Sequence, residues 1–176
     1  MFPRLAAAFI GLVTLGAAAL ALLPDEMHVS RTAVVRADAT TITHYVSHYP
    51  KRLEWVAWTE IDPAADYTFA GEPGQPGATM AWIGAEIGTA ELTLDHVVPG
   101  RSIDGTLVYR APFAMTSTDR FDLEPLDDGR TRVTWSTKAP LPYGPSRLFG
   151  LVADRLIGPD YARGLEKLDA LLATRS

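Results

Sequence analysis

The spacing of apolar and polar positions changes several times along this chain, and each change marks an element. Leu5 to Leu23 is apolar all round, 19 residues without a charge. His28 to Arg36 alternates, with Val29, Arg31, Ala33 and Val35 on one side and Ser30, Thr32, Val34 and Arg36 on the other, which predicts a strand. Asp38 stands where a helix N-cap belongs. It precedes Ala39 to His48, where Ile42, Tyr45, Val46 and the following Tyr49 share one helical face until Pro50 stops the element. Lys51 to Trp55 adds a helical turn.

From Trp58 the period becomes two, punctuated by Gly, Pro and Asp, as in an antiparallel sheet. The predicted strands are Trp58 to Thr68, Ala78 to Gly84, Thr89 to Val98, Ser102 to Arg110, Met115 to Leu126 and Thr131 to Ala139. Gly71 to Gly77, Pro99-Gly100, Ala111-Pro112 and Asp127-Asp128-Gly129 supply the turns. Alternation places Leu92 with Leu94, Ile103 with Leu107 and Tyr109, and Val133 with Trp135 on common faces. After Pro145 the helical period returns through Leu148, Val152, Leu156, Tyr161, Leu165, Leu168 and Leu172, a long closing helix that Gly158-Pro159 is expected to kink or interrupt. Strand, helix, six strands and helix make an α+β layout, a curved antiparallel sheet with space for a helix in its hollow.

The opening apolar run changes the picture of where this domain works. As a helix, 19 residues reach about 28 Å, close to the thickness of a bilayer's hydrocarbon core. Arg4 lies before it and Asp25 and Glu26 after it, so the positive-inside rule puts the N-terminus in the cytoplasm and exports the remaining 176 − 23 = 153 residues. Residues 1–24 are read as a membrane anchor or signal segment and 25–176 as one domain. Ala19-Leu20-Ala21 offers a signal peptidase its small residues, but the run is longer than a usual signal core, which favours a retained anchor.

Composition removes whole classes of activity. Sixteen Lys and Arg against 21 Asp and Glu leave a net charge of −5 with no basic block, which excludes a phosphate-tracking, nucleic-acid-binding surface. The chain has no cysteine, so it has no disulfide framework, thiolate nucleophile or cysteine zinc site. No nucleophile elbow, zincin motif or complete P-loop occurs, and no cofactor is called for. His44 and His48 share a helical spacing that could meet one metal, but a third ligand is missing and they read as solvated surface; His28 and His96 sit singly in strands. Asp119, Arg120, Asp122 and Glu124 read as a mixed solvated face. Arg110 and Arg120 are the cations to weigh as ligand contacts, with structural ion pairing as the simpler reading.

The stretch Arg52-Leu53-Glu54-Trp55-Val56-Ala57-Trp58 resembles the tryptophan-bearing segment of the SRPBCC (START-like) superfamily, in its polyketide cyclase/dehydrase and lipid-transport branch. Ile61-Asp62-Pro63, Ala70-Gly71 to Gly77-Ala78, Trp82-Ile83-Gly84, Thr131-Arg132-Val133-Thr134-Trp135 and Gly158 to Leu165 follow in the order of that branch, so the resemblance spans roughly His28 to Leu172. It implies the helix-grip fold, with an apolar cavity between sheet and C-terminal helix. In that architecture core and cavity lining coincide, which makes Trp55, Trp58, Trp82, Tyr109, Phe113, Trp135, Phe149 and Tyr161 the candidate ligand-binding residues. The expectation is a membrane-tethered, extracytoplasmic binding module for a lipid or small hydrophobic ligand, with no nucleic-acid partner. A cyclase, dehydratase or hydrolase acting on an apolar substrate in the same cavity is the alternative, and an interaction protein with a collapsed cavity the third.

Overall fold

The structure is a computed structural model that describes residues 20–175. Strand β1 (Glu26–Val35) leads into three short helices, α1 (Ala39–Ser47), α2 (Tyr49–Arg52) and α3 (Trp58–Ile61). Six strands follow: β2 (Asp66–Ala70), β3 (Thr79–Ile83), β4 (Thr89–Val98), β5 (Ser102–Ala111), β6 (Met115–Pro125) and β7 (Thr131–Pro140). Helices α4 (Ser146–Gly150) and α5 (Ala153–Ala173) close the chain. All seven strands form one antiparallel sheet in the order β1-β7-β6-β5-β4-β3-β2, so the first strand completes the sheet beside the last. With one face of that sheet against the helices, this is the helix-grip layout.

Local chemistry explains the elements. Asp38 caps α1 by accepting from the backbone N–H of Thr40 and Thr41, both at 2.9 Å. Ile42, Tyr45, Val46 and Tyr49 are buried together, as their spacing requires. Gly71, Gly74, Gly77, Gly100 and Gly129 have positive φ in the predicted turns. The paired faces of β4, β5 and β7 are also as read, with Leu92, Leu94, Ile103, Leu107, Val133 and Trp135 all buried. In β4 the register shifts between Leu94 and His96, and this bulge leaves His96 exposed on the outer face.

Two expectations are corrected. Trp58 to Thr68 is not one strand: Trp58 opens the helical turn α3, and pairing starts at Asp66. The backbone turns because Asp62 N–H bonds back to Trp58 O at 2.9 Å, Pro63 has no N–H to offer a ladder, and the buried Asp62 carboxylate accepts from Glu86 N–H at 2.8 Å. The closing helix also runs through Pro159 without interruption; its break lies earlier, at Leu151 and Val152 between α4 and α5. The carbonyl that Pro159 leaves without an intrahelical donor belongs to Arg155, an exposed residue where water can replace the bond.

Helix α5 lies closest to β1 and is fastened to it at two points. Arg31 meets Asp154 at 2.6 Å, and Arg36 meets Asp169 at 2.7 Å. Between these points the glycines let the helix approach: a Cβ on Gly158 would collide with the Arg31 guanidinium, and one on Gly164 would lie 3.0 Å from Trp135 Cζ3. Among the described residues no helix is long and apolar enough to cross a membrane. Most of the run from Leu5 to Leu23, with the anchor reading that rests on it, lies outside the described residues.

Gly164→Leu tests the close approach. Leu is the better helix former by about 0.8 kcal/mol, yet its side chain has to enter space held by Trp135 and Trp55. A net loss of about 1–3 kcal/mol in urea unfolding is expected; an unchanged or raised midpoint would show that helix and sheet have slack between them.

Candidate functional site

On the inner face the strands align side chains in cross-strand rows. One row runs Tyr67–Trp82–Ala90–Tyr109–Met115 across β2 to β6, each pair in register. Trp82 and Ala90 are buried, while Tyr67, Tyr109 and Met115 are half-buried, so the row is walled by rings and opens toward solvent at its ends. The Trp82 and Tyr109 rings, which flank the buried Ala90 in the row, meet edge to face at 6.1 Å.

Beyond Trp82 the middle of the grip is filled, where the sequence reading expects a hollow. Trp135 stacks on Tyr161 with centroids 3.9 Å apart, so sheet and closing helix are in ring contact there. Phe121 stacks on Trp135 at 4.9 Å, Trp55 meets it at 5.6 Å and Trp58 at 5.9 Å, and Trp58 stacks on Trp82 at 5.5 Å. Trp55, Trp135 and Phe121 are at most 1% exposed, and a surface that no water-sized sphere can touch borders no water-sized void. The physical reason is volume: the rings and the ion pair described next occupy the space that the sheet's curvature creates.

That ion pair is the main polar feature of the interior. Arg52 ends α2, and its Nη1 lies 2.7 Å from Asp119 Oδ2, the two side chains being 1% and 4% exposed. Trp135 Nε1 donates to the other carboxylate oxygen at 2.7 Å. The guanidinium carbon is 5.0 Å from the Phe121 ring and 5.3 Å from the Trp135 ring, within range of cation–π attraction. Burial alone disfavours the charged guanidinium, but the Asp119 carboxylate outweighs it and holds the Arg52 pKa above its ordinary value. Arg52 Nε and Nη2 have no hydrogen-bond partner among the described residues.

Burial sets the titration of the surrounding groups. It pushes the Tyr109 hydroxyl up to about 12, with Asp119, Asp160 and Tyr67 adding to the shift. Tyr161 is also raised well above its ordinary value, by burial first and by Asp119 and Tyr109 next. Asp160, on the first half of α5, is raised by burial against the pull of Arg163. At neutral pH the row therefore presents neutral phenols, suited to holding a ligand hydroxyl or carboxyl beside an apolar body.

Of the eight predicted residues, the fold brings Trp55, Trp58, Trp82, Tyr109, Trp135 and Tyr161 into one network of ring contacts. Phe149 is half-buried on α4, and Phe113 is 81% exposed in the β5–β6 turn, apart from the network. Asp119 does not belong to a solvated face. It shares parity with the inward Phe121, and that parity is the sequence signal that could have placed it. Arg52 enters the sequence reading only as part of the tryptophan-bearing segment, because a charge beside a helix end reads as surface. Arg120 pairs with Asp104 and Asp122 on the outer face and Arg110 lies near Glu91, so both are structural ion pairs. Two open grooves on that outer face, of about 520 and 670 Å³, include Arg120 in their walls and are separate from the grip. His44 and His48 stand 5.3 Å apart, and no group of three metal-ligating side chains occurs among the described residues.

Two measurements follow. Asp119→Asn leaves the Arg52 charge buried without its counter-charge and is expected to cost about 3–5 kcal/mol in urea unfolding, with Arg52→Met/Asp119→Leu less destabilised than either single change. Arg120→Ala, removing a part-exposed cation, costs about 1 kcal/mol or less; equal losses at positions 119 and 120 would contradict the assignment. The second concerns alkaline pH. Because the folded-state pKa of Tyr109 stands above its ordinary value of 10.0, its contribution to stability is whole below about 10 and is lost as pH climbs toward about 12. Tyr109→Phe should flatten the decline of the urea midpoint over that window; an unchanged slope would count against a buried phenol.

Comparison with known proteins agrees with this architecture. No curated protein matches the chain. Among solved structures, the protein CV1439 from Chromobacterium violaceum is 15% identical with a TM-score of 0.58, the match covering 84% of this chain and 97% of that one. Protein Ms6760 from Mycobacterium smegmatis is 19% identical with a TM-score of 0.56, covering 85% and 93%. Ara h 8.0201 is 12% identical with a TM-score of 0.61, covering 85% and 99%. At these identities the likeness is one of fold. Residues 26–173 match a family described as polyketide cyclase / dehydrase and lipid transport, and the chain belongs to that family, within the SRPBCC superfamily.

Proposed function

We propose that this chain is a membrane-tethered, extracytoplasmic binding module for a lipid or other small hydrophobic molecule. The observation that carries the reading is the row Tyr67–Trp82–Ala90–Tyr109–Met115, an apolar and aromatic strip that is buried at Trp82 and Ala90 and part-exposed at Tyr67, Tyr109 and Met115. Membership of a family described by lipid transport supports an apolar ligand. With the middle of the grip occupied by rings, the ligand rests on the part-exposed Tyr67, Tyr109 and Met115 and does not thread the whole interior. Selectivity then comes from shape and from the phenol hydroxyls, since leaving a bilayer for this strip exchanges one apolar environment for another. The tether is supported by the uncharged run from Leu5 to Leu23, with Arg4 before it and Asp25 and Glu26 after it.

A second reading, catalysis on an apolar substrate at the same place, draws on Tyr109 and Asp160. Both hold a proton more firmly than usual, and the two groups interact.

Native mass spectrometry of the full chain released from membranes reads the tether and the passenger together. The expected spectrum shows the mass of the uncleaved chain plus an adduct of lipid size. Tyr109→Asp places a charge in the strip and should strip the adduct, whereas Thr106→Asp, on the outer face of the same strand, should keep it, with circular dichroism verifying that both variants are folded. Loss of the adduct in both, or its absence from the parent chain, would instead favour an interaction module with a closed interior.

A further inference from the structure

The residues that carry the helical period of the closing segment are not buried at its beginning. Leu148, Val152 and Leu156 are 51%, 43% and 58% exposed, and the intervening Leu151 is 61% exposed. One exposed leucine needs no explanation; four exposed apolar side chains within nine residues, on α4, the Leu151–Val152 turn and the first turn of α5, make an apolar stripe of the chain. Arg147 and the exposed Arg155 border it.

The apolar N-terminal run ends at this same place. Arg147 Nη1 donates to the carbonyls of Leu20, Ala21 and Leu23 at 3.5, 3.3 and 3.4 Å. Leu20 and Ala21 are helical, and the last carbonyls of a helix lack partners of their own, which makes a cation an effective clamp there. A Cβ on Gly150 would come within 3.9 Å of Pro24 Cβ, so the chain that leaves the run passes directly over α4. Leu22 is 88% exposed beside it.

We infer that the stripe of Leu148, Leu151, Val152 and Leu156 is a bilayer-docking surface, seated in the boundary between headgroups and acyl chains of the membrane that receives the N-terminal run. The inference rests on the tether of the proposed function and adds to it which side of the domain faces the lipid. The clamp holds the stripe within a few residues of the point where the chain enters the membrane, so docking needs no long linker to be ordered. Exposed leucines with the exposed Arg155 beside them match an interfacial segment on anionic lipid. Asp160, which interacts with Tyr109 of the aromatic strip, follows on the same helix.

The chain has no cysteine, which permits single labelling. Full chain carrying Leu151→Cys, or Asp127→Cys in the β6–β7 turn, is labelled with nitrobenzoxadiazole and reconstituted into vesicles of phosphatidylethanolamine and phosphatidylglycerol containing doxyl-labelled lipid. The label at 151 should shift to the blue and lose most of its emission to the lipid-borne quencher, while the label at 127 keeps its emission. Adding Leu148→Ser, Val152→Ser and Leu156→Ser should restore the emission at 151 without releasing the chain from the vesicles. Quenching that survives these serines overturns the docking surface. A label at 151 that is blue but unquenched means that the protein's own N-terminal run covers the stripe, and also overturns it. If the chain floats with the vesicles and 151 stays in water, docking fails while the tether stands; if the chain does not float, both fail.

Discussion

A carboxylate and a guanidinium buried among aromatic rings set the terms for the rest of this structure. Taking Arg52 and Asp119 out of water costs several kcal/mol per ion, and only close geometry with further hydrogen bonds recovers it. The geometry here has three consequences. It fixes the end of α2 against β6, and it orients Trp135 through the bond from its indole N–H to the same carboxylate. Trp135 in turn presents its face to Tyr161, so the closing helix docks on a ring whose position a charge has set. Gly105, in register with Asp119, leaves the facing position on β5 free of a side chain.

Much of the fold was legible because alternation and turn chemistry agree. From Thr89 onward the predicted strands match the observed ones to within a residue or two, since each is bounded by Gly or Pro and carries a single inward face. Trp58 to Thr68 misled because the bonds that bend the chain come from Asp62, whose partner at Glu86 lies 24 residues away. The site was legible as aromatic residues and illegible as a polar pair. Arg52 and Asp119 meet across 119 − 52 = 67 residues, and a charge read alone is assigned to water. The leucines from 148 to 156 show the same limit: periodicity tells which side chains share a face, but not what that face meets.

The interior and its rim divide the work of the molecule. Ring stacking and the ion pair make the middle rigid, a foundation on which Trp82 and Tyr109 hold fixed positions. Toward β2 and the β5–β6 turn the same inner face loses its cover, and Tyr67, Tyr109 and Met115 become part-exposed.

The four tryptophans of this chain all lie in that foundation, linked through Trp82, Trp58, Trp135 and Trp55 by centroid separations of 5.5 to 5.9 Å. At such distances the indoles exchange excitation faster than they emit, so their light reports one location and not an average over the molecule. The chain thereby carries its own optical gauge of the grip, readable without a foreign dye.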